Sequence, residues 1–397
     1  MRILWIKTEL LHPVDKGGKI RTYQMLRALR KRHDITYLCL DDGTAVSDAI
    51  ALSREYAHRT VTVPFSPPPK GSPRFAAALL GNLLSSLPYA VSRYKSPALS
   101  QQIRHLSVGM DLVVCDFLAP AINVPPSLPL RTVLFQHNVE AMIWLRHASV
   151  PQNAIRRAYM SEQWRRMVAF EKTACRRFAH VVAVSDLDAE VFRKDYGVHS
   201  VSTVATGVDL EYFSPPVQRE RSGREIVFVG SMDWLPNDDG MRWFLGDVLP
   251  ELRQRLPDAR LSIVGRSPSD SLRRLAKQVG GVEVTGPVPD VRPYLARAAL
   301  SIVPLRIGGG TRLKIYEAMA MGTPVVSTSI GAEGLPLEPG RQISIADDSL
   351  SLARAVEHAL TDHARADAMA DAALDFVRQH CSWNAVANQF MKNCMEH

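Results

Sequence analysis

No apolar run in this 397-residue chain reaches the roughly 18–20 residues that a helix needs to cross a bilayer. The opening MRILWIKTEL meets charge too early for a secretory signal and reads better as a first strand. Cysteine is sparse: Cys39, Cys115, Cys175, Cys381 and Cys394 form an odd set without a C-x-x-C pair. This excludes a disulfide framework and gives no zinc-ligand spacing, so free thiols in a reducing cytoplasm are expected. No G-x-G-x-x-G follows the first strand, which argues against a nicotinamide dehydrogenase. A nucleic-acid motif is also missing. The net charge of +8 points instead to phosphate groups or an anionic membrane surface as partners, with no nucleic acid.

What the chain does have is regular alternation. RILWI, DITYLCL, DLVVCDF, TVLFQ and HVVAVS in the first half read as short buried strands. EIVFVG, ARLSIVG, VEVTG, LSIVPL and PVVST continue the pattern in the second, with helical segments between them. Buried strands alternating with helices imply parallel sheets covered on both faces, an α/β protein built twice over. The proline- and charge-rich stretch 207–225 reads as a linker. The expected domains are therefore 1–210 and 211–378, with 379–397 a helix packing back on the first.

IGGGTRLKIYEAMAMGTPVVST, residues 307–328, concentrates the chemistry. Glycine is costly in ordered structure, so three in a row before a helix need a reason. A glycine-rich loop opening a helix presents free N–H groups and the positive end of the helix dipole, which suits phosphate. Arg312 and Lys314 add full charges there. Glu317, further along the helix, offers a carboxylate for two ribose hydroxyls. The competing account is a solvated surface loop.

Other stretches are more ambiguous. In DKGGK, Gly17 and Gly18 open a helix after the first strand and stand either beside a donor phosphate or acceptor hydroxyl, or in an ordinary turn. His137, with Asn138, follows the strand TVLFQ and either hydrogen-bonds a sugar or is satisfied by local backbone. SDLDAE contains a D-x-D triplet, but Ser185 followed by Asp188 reads as a helix N-cap, and no metal site is expected. Over 72–87, Phe75, Leu79, Leu80, Leu83, Leu84 and Leu87 share one helical face, which either buries against the domain or lies in a membrane interface. The segment IRRAYMSEQWRRMVAFEKTACRR carries six arginines and reads as a solvated helix or as a surface for anionic lipid.

VGSMDWLPN, LSIVG, VEVTGPVPDVRPYL, PLRIGGGTRLKIYEAMAMGTPVVST and GAEGL, in that order, resemble the family 4 glycosyltransferases. PVDKGGKIRTYQMLRAL, VAVSDLDAE and TGVDLEYFSP fit the same family more loosely. The resemblance implies the GT-B fold, two Rossmann-like domains with parallel sheets facing a central cleft. It implies transfer of a sugar from a nucleotide-diphosphate donor, a UDP- or GDP-sugar, to an acceptor hydroxyl with retention. No cofactor or metal is implied.

Carried over by position, Glu317 is the ribose carboxylate, while Gly310, Thr311 and Arg312 face the diphosphate and donor sugar. Gly230 follows the second domain's first strand, Val288 lies where backbone groups read the base, and the family places a histidine much as His137 stands. Two departures matter. Gly309 occupies the position of the family motif's first glutamate, and SMDWLPNDDG lacks the family's usual phosphate cations. Arg312, Lys314 and Arg266 are expected to replace them, which gives His137, Arg312 and Lys314 the catalytic roles.

The expected acceptor is a glycan, a lipid-linked sugar or a small molecule, in polysaccharide or glycoconjugate synthesis. The expected location is the cytoplasm, with a peripheral place on the inner face of the membrane open. A sugar-nucleotide epimerase and a non-catalytic nucleotide-sugar-binding protein remain alternatives.

Overall fold

A computed structural model describes residues 1–15, 17–69, 71–149, 154–216, 222–307 and 312–396. The chain divides into two compact units, Met1–Ala205 with Trp383–His397, and Thr206–Ser382.

The first unit is built on seven strands: β1 (Arg2–Lys7), β2 (Asp34–Asp41), β3 (Arg59–Pro64), β4 (Leu112–Asp116), β5 (Arg131–Phe135), β6 (His180–Ala183) and β7 (Val201–Thr203). All pair in parallel, in the order β3-β2-β1-β4-β5-β6-β7. The central strands are apolar without alternation because helices cover both faces; β4, LVVCD, is buried at every position. The edge strand β3, RTVTVP, is half-exposed and carries Arg59 and Pro64, which blunt an open edge.

The closing helix Trp383–Glu396 belongs to this unit. Phe390 packs on Trp5, ring centroids 5.6 Å apart, and Asn393 Nδ2 donates to Thr203 O at 2.9 Å.

The second unit repeats the plan with six strands: β8 (Ser222–Val229), β9 (Arg260–Val264), β10 (Val282–Gly286), β11 (Ala298–Val303), β12 (Val325–Ser327) and β13 (Ser344–Ile345). Their order, β10-β9-β8-β11-β12-β13, is again wholly parallel. Each sheet thus runs outward from its first strand, reverses, and continues on the other side. In such sheets ligands bind beyond the carboxyl ends of the strands at the reversal, β1/β4 in one unit and β8/β11 in the other.

Two local readings change. The stretch expected to be a linker is partly structural: Val208 N donates to Cys381 O at 2.7 Å, and Leu210 and Phe213 pack on the second unit's core. The continuous helix expected over 72–87 runs only Pro73–Asn82, capped by Ser72. The Asn82 side chain turns to Leu87 O at 3.0 Å, and Arg166 donates to the carbonyls of Asn82 and Leu83 at 2.6 and 3.1 Å. Leu80, Leu83 and Leu84 are left 66%, 52% and 96% exposed.

Candidate active site

In the first unit the strand ends converge on a buried carboxylate. Asp116, the last residue of β4, is fully buried. Its Oδ2 accepts from Trp5 Nε1 at 3.1 Å, Lys7 Nζ at 2.9 Å and Thr22 Oγ1 at 2.6 Å; its Oδ1 lies 2.7 Å from His137 Nε2. Lys7 ends β1, Thr22 lies on the helix Gly17–Arg30, and His137 follows β5. Burial alone would raise the Asp116 carboxyl, but the Lys7 charge and the donors from His137 and Thr22 outweigh it and hold it far below the usual carboxylate range.

His137 moves the other way. Burial, against the opposing pull of Asp116, lowers it to about 4. Lys7 already balances the Asp116 charge and buried Arg21 adds a further cation that acts on the ring, so an imidazolium would be uncompensated.

Aromatic rings hold the imidazole in place. Phe117 stacks on it at 3.8 Å and Phe135 lies tilted at 4.5 Å, while Lys7 Nζ sits 4.0 Å from the Phe117 centroid. Phe117 adopts φ 73°, a left-handed backbone costly for an aromatic residue. Its ring also explains a glycine: a Cβ on Gly18 would stand 2.8 Å from Phe117 Cζ. Gly17 opens the same helix. Beyond His137, buried Glu171 accepts from Gln136 Nε2, Glu140 N, Ala141 N and Tyr196 OH at 2.8–3.1 Å. It thereby anchors the start of the helix Glu140–Ser149. Burial pushes the Glu171 carboxyl up to about 8, and the Ala141 and Glu140 amides pull against it.

The second unit gathers cations at its own reversal. Lys314, in the first turn of the helix Leu313–Ala320, donates to Asn237 Oδ1 at 2.6 Å, and Asn237 Nδ2 donates to Ser231 O at 2.7 Å. Lys314 Nζ also lies 4.3 Å from the Phe228 centroid. Arg266 Nε donates to Ser231 Oγ at 2.8 Å, with Asp233 at 3.6 Å. Gly230 lies in the middle: a Cβ there would meet Asn237 Nδ2 and Lys314 Nζ, each at 2.8 Å. Burial, then the Arg312 charge, lowers Lys314 to about 7 despite Glu317. Burial raises Glu317 to about 7, with Lys314 opposing.

Arg312 turns its side chain toward the loop after β12, while its charge still acts on Lys314. It precedes the helix at φ 49°, and its Nη2 donates to Ile330 O at 2.7 Å and reaches Glu333 at 3.4 Å. Val288 packs, partly buried, against the core. Gly309, Gly310 and Thr311 lie outside the described residues.

Sequence reasoning missed Lys7, Thr22, Asp116, Glu171, Ser231 and Asn237. The apolar runs RILWIK and LVVCD each end on an ionisable residue, and that was the available signal for Lys7 and Asp116. The D-x-D triplet is a cap: Ser185 Oγ accepts from Asp188 N at 3.1 Å. Among the described residues no three His, Cys, Asp or Glu side chains are grouped to hold a metal ion.

This fold, with polar residues at both sheet reversals, is that of a GT-B glycosyltransferase. The chain belongs to the family 4 glycosyltransferases: residues 16–212 match the model "Glycosyltransferase Family 4" and residues 223–362 match "Glycosyl transferases group 1". It is 23% identical over 367 residues to an uncharacterized 44.6 kDa protein in the cps region of Klebsiella pneumoniae, covering 89% of each chain. It is 31% identical over 222 residues to a phosphatidyl-myo-inositol mannosyltransferase of Mycobacterium leprae, covering 53% of this chain and 57% of that protein. Among solved structures, Anabaena Alr3699/HepE in complex with UDP and glucose superposes with a TM-score of 0.68 at 15% identity, over 100% of both chains.

Proposed function

We propose that the protein is a retaining glycosyltransferase that moves a hexose from a nucleotide-diphosphate donor to an acceptor hydroxyl in glycoconjugate synthesis. The observation that carries this is the half-buried Lys314, held by Asn237 beside Gly230 at the end of β8. A lysine kept poorly solvated gains most when a diphosphate arrives to neutralise it. In this reading Lys314, with Arg266, stabilises the charge that develops on the departing diphosphate, which is electrostatic catalysis by fixed donors. Glu317 takes the ribose hydroxyls, and the Val288 backbone reads the base. Arg312, itself buried, contributes through its charge, which lowers Lys314.

Here side-chain cations, not a metal, balance the diphosphate, so a chelator should leave the transfer rate unchanged. The direct test is a thermal-shift screen of UDP- and GDP-sugars, because a ligand that binds the folded state raises its melting temperature. Anomeric analysis of the product then reports retention. Turnover of the donor without any acceptor would favour an epimerase, and binding without turnover a nucleotide-sugar-binding protein.

The acceptor is proposed to be lipid-linked. Leu80, Leu83 and Leu84 stand exposed together, with exposed Arg74 and Lys95 nearby in sequence. Apolar residues flanked by cations suit an anionic membrane surface. No helix among the described residues is long and apolar enough to cross a membrane.

A further inference from the structure

The helix Leu235–Trp243, which follows β8, grips the chain beyond β11 at three points. A Cβ on Gly240 would stand 2.6 Å from Pro304 O, so helix and strand end meet there backbone to backbone. Asp239 takes Arg306 in a two-point contact: Arg306 Nε donates to Oδ2 at 3.0 Å and Nη2 to Oδ1 at 2.7 Å. The same guanidinium lies 5.5 Å from the ring centroid of buried Trp243, four residues along the same helix face. Asn237, two residues before Asp239, holds Lys314. Its amide is committed at both ends, because Nδ2 donates to Ser231 O.

Arg306 and Lys314 bracket Gly308, Gly309 and Gly310 of the sequence. Glycine has the most backbone freedom to lose, so ordering such a stretch around a ligand costs least when its flanks are already held. Both flanking cations are seated by a single turn of one helix. An isolated ion pair with an exposed arginine is worth little; the second contact point, the ring of Trp243 and the neighbouring Asn237 set this one apart.

We propose that Asp239 is a positioning residue for diphosphate binding. By seating Arg306 on the helix turn that also seats Lys314, it sets the spacing between the end of β11 and the helix Leu313–Ala320 before a nucleotide arrives. The diphosphate half rests on the nucleotide-donor reading above; the clamp itself does not.

The sign of the effect separates positioning from plain charge. Asp239→Asn removes a negative charge near a polyanion and frees a cation, so on electrostatics alone it should tighten binding. Loss of positioning weakens it.

Titration calorimetry with UDP and GDP reads the difference. Asp239→Asn should bind whichever nucleotide the wild type takes roughly threefold to tenfold more weakly, the cost of ordering one long side chain on binding. Arg306→Lys keeps the charge but loses the two-point contact, and should weaken binding too. It reads the pair even where Asp239→Asn fails to fold. The double variant should bind no more weakly than Asp239→Asn alone, because the two residues act as one unit. Asp238→Asn is the control: that carboxylate pairs with Arg242 and Ser269, and its loss should lower the melting temperature without changing affinity. Wild-type or tighter binding by Asp239→Asn or Arg306→Lys overturns the proposal, as do additive losses in the double variant or an equal loss in Asp238→Asn. If the wild type binds neither UDP nor GDP, the nucleotide-donor reading fails and the positioning role with it. If it binds one and the variants match it, the positioning role alone fails.

Discussion

Asn237 and Lys314 are 77 positions apart in the chain and meet in a 2.6 Å hydrogen bond at the end of β8. The pair lies against Phe228, with Arg312 and Glu317 as the charged groups that shift Lys314. An ammonium in that setting is half discharged near pH 7, since burial lowers it to about 7.

Nucleotide affinity should follow from this. A diphosphate binds the charged form, so UDP or GDP affinity should fall as pH rises from 7 to 9, by up to about tenfold per unit. Calorimetry in buffers of different ionisation heat should show proton uptake on binding. The stability sign is opposite. The unfolded lysine titrates near 10.5 and the folded one near 7, so the unfolded chain binds more protons between them and ligand-free stability rises through that window. Lys314→Met should therefore melt higher than wild type at pH 7 while binding nucleotide more weakly. A variant that binds normally would remove Lys314 from the site.

Glu317 gives a second prediction. If it holds the ribose hydroxyls, Glu317→Ala should lose about 1.5–3 kcal/mol of donor affinity, the worth of a charged hydrogen bond. Glu317→Gln should lose less, because its amide oxygen still accepts. Burial raises the carboxyl to about 7, so affinity through this contact should weaken as pH falls below that value. Titration calorimetry at pH 6 and pH 8 separates it from Lys314, whose effect has the opposite sign.

Both units were legible as α/β because their central strands are apolar runs; β4 and β11 are buried at every position. The strands that escaped notice, β3, β7 and β13, are partly exposed segments away from the sheet centres, in which polar residues dilute the pattern. The break at Asn82 was also hidden, because Arg166, 84 positions away, closes that helix end. In the candidate site, cations and glycines could be read from spacing alone. Partnership could not: Asn237 is an ordinary residue in WLPN until the fold brings Lys314 to it. Asp116 is similarly silent until Lys7, Thr22 and His137 surround it, 109, 94 and 21 positions away.

The exposed leucines allow a test of membrane contact. Wild-type protein should sediment with phosphatidylglycerol vesicles and release at high salt, where screening removes the contribution of the cations. Full burial of one leucine is worth about 1.5–3 kcal/mol, so Leu80, Leu83 and Leu84 replaced together by serine should abolish sedimentation. Melting temperature should hardly change, because these side chains are more than half exposed. Wild-type protein that stays in the supernatant at low salt would argue for a soluble acceptor.

Three glycines separate fold from site in the second unit. Gly265 follows β9 at φ 152°, and a Cβ there would stand 1.8 Å from Gly230 O. That obstacle is backbone, so Gly265→Ala must displace the ends of β8 or β9, and a loss of stability on the order of 2–4 kcal/mol is expected. Gly230 is crowded differently. Its Cβ would meet the tips of Asn237 and Lys314, each at 2.8 Å, and flexible side chains can yield. Gly230→Ala should therefore keep most of its stability while splitting that pair and weakening nucleotide binding. Gly246 is the control: exposed, helical, with nothing within 4 Å of an added Cβ. Alanine there should stabilise by about 0.4–1 kcal/mol by narrowing the unfolded ensemble, and leave binding alone. The measurement is the same for all three, melting temperature without ligand and nucleotide affinity by calorimetry. If Gly230→Ala lost stability as Gly265→Ala does, the glycine would be serving the strand ends and not the lysine beside it.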